Sequence, residues 1–410
     1  MEEQKRAAVI ERVFRRELKM AEAAMVLGMS ERHSYRIKAK IRKEGVKGVV
    51  HGNRGRSCSW KLSFGTEQRI VELARGKYRG FNDHHLTEKL VEEEGIELSR
   101  EKVRQILRSK GIASPRKRRP PRHRSRRERR ASEGMMLQVD GSPHDWLEGR
   151  GPYLTLVGAI DDATSKVSGA LFVQAETSWA YLKLFSGVFK KKGLPHSVYS
   201  DRHKIFFTDR EPTIEEQLKG KRPRTQVGRA LEELGITLIP AGSPQAKGRI
   251  ERLWGSFQDR LVSELRLEGA KTKEEAQAVL DRYLPQHNGR FAKSASEAKS
   301  AWREVDCKAL QQALCFKYRR VVAKDHTVCF EGSILQIPKR SPFLSWAGKA
   351  VQVHVLLDGS VEIFYKTDRI ARFDSKSAHT IGLYRTNGTQ EVFKYGPEAT
   401  TTANLYELSP

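Results

Sequence analysis

The chain has 410 residues, 38% of them hydrophobic. That is enough for several modest cores, and no run approaches the ~18 apolar residues of a membrane-spanning helix. Lysine and arginine number 76 against 50 aspartates and glutamates, a net charge of +26. A surface this basic collects polyanions, so nucleic acid is the expected partner. A membrane surface is not expected, because no stretch pairs a basic face with an exposed Trp/Leu face. The start, MEEQKRAAVIERVF, lacks an apolar leader core, and a soluble, cytoplasmic protein is expected. Cys58, Cys307, Cys315 and Cys329 form no CxxC pair and read as free thiols.

In chain order, residues 1–50 read as a helix-turn-helix domain. Ala23, Ala24, Val26 and Leu27 carry an apolar stripe, Gly28 breaks the helix, and Ser30 caps a second helix from about Glu31 to Glu44. On that second helix Arg32, His33, Tyr35, Arg36, Lys38 and Lys40 can reach phosphates and base edges. An ordinary helical hairpin with a solvated charged face is the alternative. Residues 51–61 form a Gly/Arg/Ser linker. Residues 62–114 repeat the pattern as a second helix-turn-helix domain. Thr66 caps one helix, a second spans about Leu86 to Glu94, and Ser99 caps a third. The third turns Val103, Ile106 and Leu107 inward and Arg100, Lys102, Arg104 and Arg108 outward, toward DNA.

Residues 115–131 are almost wholly cationic and cannot bury a core. Laid along a duplex, Arg116, Lys117, Arg118, Arg119, Arg122 and Arg124 would neutralise phosphates and release their counterions. A nuclear-localisation signal or a solubilising linker is the alternative.

From residue 132 to 305 the pattern is that of a catalytic-sized α/β domain. MMLQVDG is a strand ending in Asp140, followed by the strands Tyr153–Ile160 and Val167–Val173 in an antiparallel meander. A helix from Ser178 to Lys191, a short strand ending at Ser200, a further helix and strand, and a long helix from Arg249 to Leu265 complete a mixed sheet flanked by helices. Short β-branched strands over 310–385 predict a small β-barrel, and 386–410 a loose tail. The predicted fold class is therefore multidomain α/β: all-α helix-turn-helix units, a mixed α/β core, then the barrel.

Three acids stand where chemistry can use them. Asp140 and Asp201 end neighbouring strands joined by a helical crossover, which brings them to one edge of the sheet. Glu251 starts the long helix. Breaking a phosphodiester calls for charge neutralisation, an activated hydroxyl and a stabilised leaving oxygen. Two divalent ions held by such carboxylates supply all three. Asp161 and Asp162 read as a turn some 25 Å from that edge, by eight residues at about 3.3 Å each. His144 and Asp145 read equally as supporting groups or loop residues. Residues alone leave a metal nuclease as one option among several.

The blocks LQVDGSPHDW, VYSDRH and SPQAKGRIERLWGSFQDRL resemble the three signatures of DDE transposases with a retroviral-integrase-type catalytic core. Pro244, Gln245, Gly248 and Glu251 meet the spacing of the third, and His287-Asn288-Gly289-Arg290-Phe291 resembles the stretch that follows it. HGNRGR and DGSPHDWLEGRGP are similar to a bacterial insertion-sequence group with tandem N-terminal helix-turn-helix units.

The resemblance implies an RNase-H-like core holding two Mg2+ (or Mn2+) ions on Asp140, Asp201 and Glu251. It implies DNA contacts at Lys247 and Arg252 and supporting roles for His144 and Gln245. The implied substrates are double-stranded DNA at the terminal inverted repeats of a mobile element and target DNA. A dimer or larger complex on paired ends and a nucleoid-associated location are expected with it. Two features depart from the pattern: the 50 positions from Asp201 to Glu251 (251 − 201) are wide, with a polar insertion at about 206–228, and His287 stands where Tyr is usual. A DNA-binding regulator with an idle core and a host RNase-H-type nuclease are the competing readings.

Overall fold

The computed structural model describes residues 2–50, 62–115, 120, 127–218, 220, 222–242, 248–339 and 345–374. The linker 51–61 (with Cys58), Arg116, Lys117, Arg118, Arg119, Arg122 and Arg124 of the arm, Gln245 and Lys247, and the tail 386–410 lie outside the described residues. The chain divides into two compact units, Met1–Val71 and Glu72–Pro410.

In the first unit α1 (Glu2–Phe14), α2 (Met20–Leu27) and α3 (Glu31–Glu44) enclose Val9, Ile10, Val13, Met20, Ala23 and Ile37. Gly28 ends α2 at φ +65, and Ser30 caps α3 by accepting from the His33 amide. Helix α4 (Phe64–Arg75) starts one turn earlier than predicted. Ser63 takes the capping role, its Oγ accepting from the Thr66 amide at 3.1 Å.

The second unit adds α5 (Asp83–Glu92), capped by Asn82, and α6 (Arg100–Ser109), capped by Ser99. A five-stranded mixed sheet follows. It is built from β1 (Met136–His144), β2 (Leu154–Asp161), β3 (Val167–Val173), then α7 (Ser178–Lys192) and β4 (Ser197–Ser200). The polar stretch after β4 carries α8 (Ile214–Leu218), and α9 (Gln226–Glu233) leads to β5 (Thr237–Pro240). The order is β3-β2-β1-β4-β5, antiparallel through β1–β2–β3 and parallel through β1–β4–β5. The predicted meander and crossover are both present. Helices α10 (Gly248–Leu267) and α11 (Lys273–Phe291) cover one face, α7, α9 and α12 (Cys307–Ala313) the other.

Strand β1 does not end at Asp140. It runs four residues further, paired with β2 out to His144↔Leu154. The sequence reading ended the strand at Asp140; pairing with β4 stops at Gln138↔Tyr199, so beyond it the strand is open on that side and tolerates Pro143.

The expected barrel is absent: among the described residues no closed barrel forms. Strands β6 (Phe316–Val321), β7 (Thr327–Phe330), β8 (Ser333–Gln336), β9 (Ala350–Val355), β10 (Val361–Tyr365) and β11 (Asp368–Phe373) make an open four-stranded sheet, β11-β10-β9-β6, and a separate β7–β8 hairpin. The apolar faces of both meet in one core around Val328, Val353 and Ile363, so side-chain burial is satisfied without closing the hydrogen-bond ladder. Among the described cysteines Cys315 is buried, and Cys307 and Cys329 are exposed free thiols. No described helix is long and apolar enough to cross a membrane.

Helix α5 is fastened to α10 and α11 by polar groups. Arg260 grips Glu88 with both guanidinium nitrogens (2.6 and 3.1 Å), and Arg290 reaches Glu88 (2.9 Å) and Glu92. His85 and Lys89 meet Glu264 at 2.7 and 3.0 Å, and Asn82 donates to Asp259. Burial pushes the His85 pKa down and keeps the ring neutral despite the Glu264 carboxylate.

Candidate active site

The parallel register sets the first two acids side by side. Gln138 faces Tyr199, so two residues further along each strand Asp140 stands level with Asp201, where β1 and β4 part. Adjacent strands lie about 4.8 Å apart. Asp140 points to the α10 face, and its Oδ2 accepts a 3.1 Å hydrogen bond from Trp254 Nε1. The indole reaches it by lying across Gly158, the residue opposite Asp140 on β2. A Cβ at Gly158 would come within 2.8 Å of the ring. Asp201 accepts from the backbone amide of His203 at 3.1 Å, which bends the chain out of β4.

Glu251 is exposed, three residues before Trp254 and so about one helical turn away on the same side of α10. Among the described residues no three acid, His or Cys side chains stand close enough together to hold a metal ion. The two aspartates are thus brought together and Glu251 is brought to their face of the sheet, short of a three-acid cluster.

Three neighbours escaped the sequence reading. Trp254 appeared there only inside the block SPQAKGRIERLWGSFQDRL, with no role of its own. Glu176, before α7, places its carboxylate over Gly141 (2.7 Å from where a Cβ would stand) and accepts from Tyr181 Oη at 2.5 Å. Burial raises the Tyr181 pKa well above its usual value, reinforced by the carboxylates of Glu176, Asp140 and Asp201. Arg249 is the third, nearly buried against Asp162. No local sequence signal marks these contacts, because each partner is distant in sequence or on another element.

The Asp161–Asp162 pair lies much nearer the site than the predicted 25 Å. Asp161 pairs with Leu137, three positions from Asp140, or about 10 Å along the strand. The prediction placed Asp140 at a strand end, whereas it sits in mid-strand. Both acids are fully buried. Asp161 accepts from the amides of Gly134 and Thr164 and from the Thr164 hydroxyl, closing the turn, and burial raises its pKa. His144 ends β1, four positions from Asp140, with its ring edge-on to Trp146, and Asp145 accepts from the Gly149 amide in the following turn.

Of the expected DNA contacts, Arg32, His33, Tyr35, Arg36, Lys40, Arg100, Arg104 and Arg252 are exposed. Lys38 is half-buried over the Phe14 ring. Lys102 is half-buried, and Arg104 pairs with Glu101 on its own helix. Arg108 turns inward to Asp83 (2.6 Å) and the carbonyl of Ile112 (2.7 Å).

No protein-family model matches the chain. A putative transposase of Sinorhizobium fredii, y4bF, is 32% identical over 363 residues, covering 88% of this chain and 78% of the relative. The chain belongs to the insertion-sequence transposase family. A second member, the transposase for insertion sequence IS1202 of Streptococcus pneumoniae, is 30% identical over 331 residues, 71% of this transposase chain and 69% of its relative. Among solved structures, the HTLV-2 integrase catalytic core domain aligns with 36% of the chain and 84% of its own length at 15% identity and a TM-score of 0.27.

Proposed function

We propose that this chain is an active DDE transposase. It binds the terminal inverted repeats of a mobile element, hydrolyses the phosphodiester at each end and transfers the freed 3′-hydroxyl to target DNA. The observation that carries the reading is the arrangement of Asp140, Asp201 and Glu251: two aspartates level on diverging parallel strands, with the helix bearing Glu251 fixed to the first of them through Trp254.

The donor set consists of carboxylate oxygens alone, which suits Mg2+ or Mn2+ rather than a softer metal. Asp140, Asp201 and Glu251 would hold two such ions, which supply charge neutralisation at the scissile phosphate when bound. The protein's own part is positioning. Trp254 fixes the Asp140 carboxylate, the Asp201–His203 turn fixes the second, and exposed Glu251 comes in from the first turn of α10. With a net charge of +26, DNA is held by the solvent-facing residues of α3, by Arg100 and Arg252, and by the basic arm. Two ends must be cut and joined in concert, so the working form is a dimer or larger complex on DNA.

The test is magnesium-dependent cleavage of labelled DNA carrying the element's ends. Wild type should cut, while Asp140→Asn and Glu251→Gln should fall by at least a thousandfold with end binding intact. Unimpaired cutting by either variant removes that acid from the site. Specific binding without cutting by the wild type would favour a regulator.

A further inference from the structure

We propose that Asp162 is a positioning residue that ties the end of the basic arm to the helix turn carrying Glu251, so that the arm's hold on DNA sets the placement of the third acid. The proposal rests on the function proposed above.

Asp162 and its neighbour Asp161 are equally buried but differently used. Every partner of Asp161 lies in its own turn or in the short stretch leading into β1. Asp162 gathers three separate segments. From β1, Gln138 Nε2 donates to Oδ1 at 2.7 Å, two residues before Asp140 and on the same face. From the arm, the Arg127 guanidinium donates to Oδ1 and the backbone amide of Arg130 to Oδ2 at 2.9 Å. From α10, Arg249 donates to Oδ1 at 2.6 Å, two residues before Glu251.

The contacts close on themselves. Arg249 also donates to the backbone carbonyl of Arg127 at 2.9 Å, so arm and helix touch directly as well as through the carboxylate. Arg129 adds 2.9 Å bonds to the carbonyls of Asp162 and Ala163 and to the Ser165 hydroxyl. Residues 127–130 are thereby seated on the β2–β3 turn, where the sequence alone shows only more of a cationic tract.

The charge balance makes the junction sensitive. A single buried carboxylate faces two guanidiniums, and the Arg249 side chain is only 9% exposed. A nearly buried cation and a partly exposed one sharing a buried anion hold together only while that anion is present. Loss of the Arg127 guanidinium leaves the arm on Arg129 and the Arg130 amide, and changes how Arg249, and with it the first turn of α10, is held on the shared carboxylate. Loss of the Asp162 charge removes the anion that both guanidiniums share.

The test uses the full-length protein. Amide hydrogen exchange at Arg252–Gly255 is measured without DNA for wild type, Arg127→Met and Asp162→Asn. Arg127 is partly exposed and its replacement leaves the sheet's core untouched. Both variants should lose at least tenfold of the protection at Arg252–Gly255, with β9 and β10 amides unchanged. Unchanged protection on α10 in Arg127→Met, or a loss spread through the whole sheet, overturns the tie. In parallel, single-turnover cleavage by Asp162→Asn at saturating protein should fall at least tenfold while Kd for the end duplex stays within threefold. A matched fall in binding and cleavage would make Asp162 merely structural. Absence of cleavage in the wild type would overturn the proposed function, while the exchange comparison would still decide whether arm and helix are tied.

Discussion

The two ends of α10 use the same kinds of side chain to opposite effect. At its N-terminal end Arg249 bonds to Asp162 and to the carbonyl of Arg127, Trp254 bonds to Asp140, and between them Glu251 stays exposed. At its C-terminal end Asp259, Arg260 and Glu264 are all spoken for by α5, and Arg260 and Glu264 are buried. One end holds a reactive group ready by fixing its neighbours; the other removes charge from water to fasten a helix. A charged residue beside a locked one is available for chemistry, whereas a charged residue inside a matched network is committed.

The largest effect should come from breaking the fastened end. Arg260→Ala leaves Glu88 partly desolvated with Arg290 as its remaining arginine partner, and removal of one member of a buried pair costs about 3 kcal/mol. The urea midpoint should fall accordingly, with cleavage intact below the transition. A change under about 0.5 kcal/mol would class the pair with surface ion pairs. Next is Trp254→Phe, which keeps the packing and deletes the donor to Asp140. A hydrogen bond to a charged group is worth about 1.5–3 kcal/mol, so cleavage should slow about ten- to a hundredfold with little change in the urea midpoint. A drop in stability with no loss of rate would return Trp254 to the core alone.

The smallest effect, and one confined to acid, concerns His287, packed edge-on against Phe257 of α10. Burial holds its pKa down to about 4, helped by the charges of Arg260 and Arg290. Between about pH 6.5 and pH 4 the unfolded chain takes up a proton that the folded chain refuses, so stability falls as pH falls through that window and is unaffected above it. His287→Phe should remove on the order of 1–2 kcal/mol of the difference in unfolding free energy between pH 8 and pH 5. An unaltered pH profile would assign the acid sensitivity to His354, whose pKa burial also lowers to about 4, and to His85.

Much of the site's frame was legible because alternation and helical spacing are local. The apolar runs of β1, β2 and β3 and the stripe Ile250, Leu253, Trp254, Phe257, Leu261 on α10 follow from side-chain period alone. The pairing of Asp140 with Asp201 follows from crossover handedness. The length of β1 was not legible, since Pro143 and Gly141 signal a turn unless one knows that β4 has already left. Nor was the docking of α5: Glu88, Lys89 and Arg260 look like solvated charges until their partners, some 170 residues away, are in place. The C-terminal strands were found, but strand periodicity does not say whether a sheet closes on itself.

Strand β1 has one further consequence, for the kinds of change its lineage can absorb. Its residues alternate between α7 and α10, with Val139 in one core and Asp140 beneath Trp254. Substitutions within it act one at a time. A single inserted or deleted codon between Met136 and Asp140 would instead flip the strand from that point on, turning the acid toward α7 and a valine toward α10. Drift in this segment should therefore proceed by replacement and almost never by change of length.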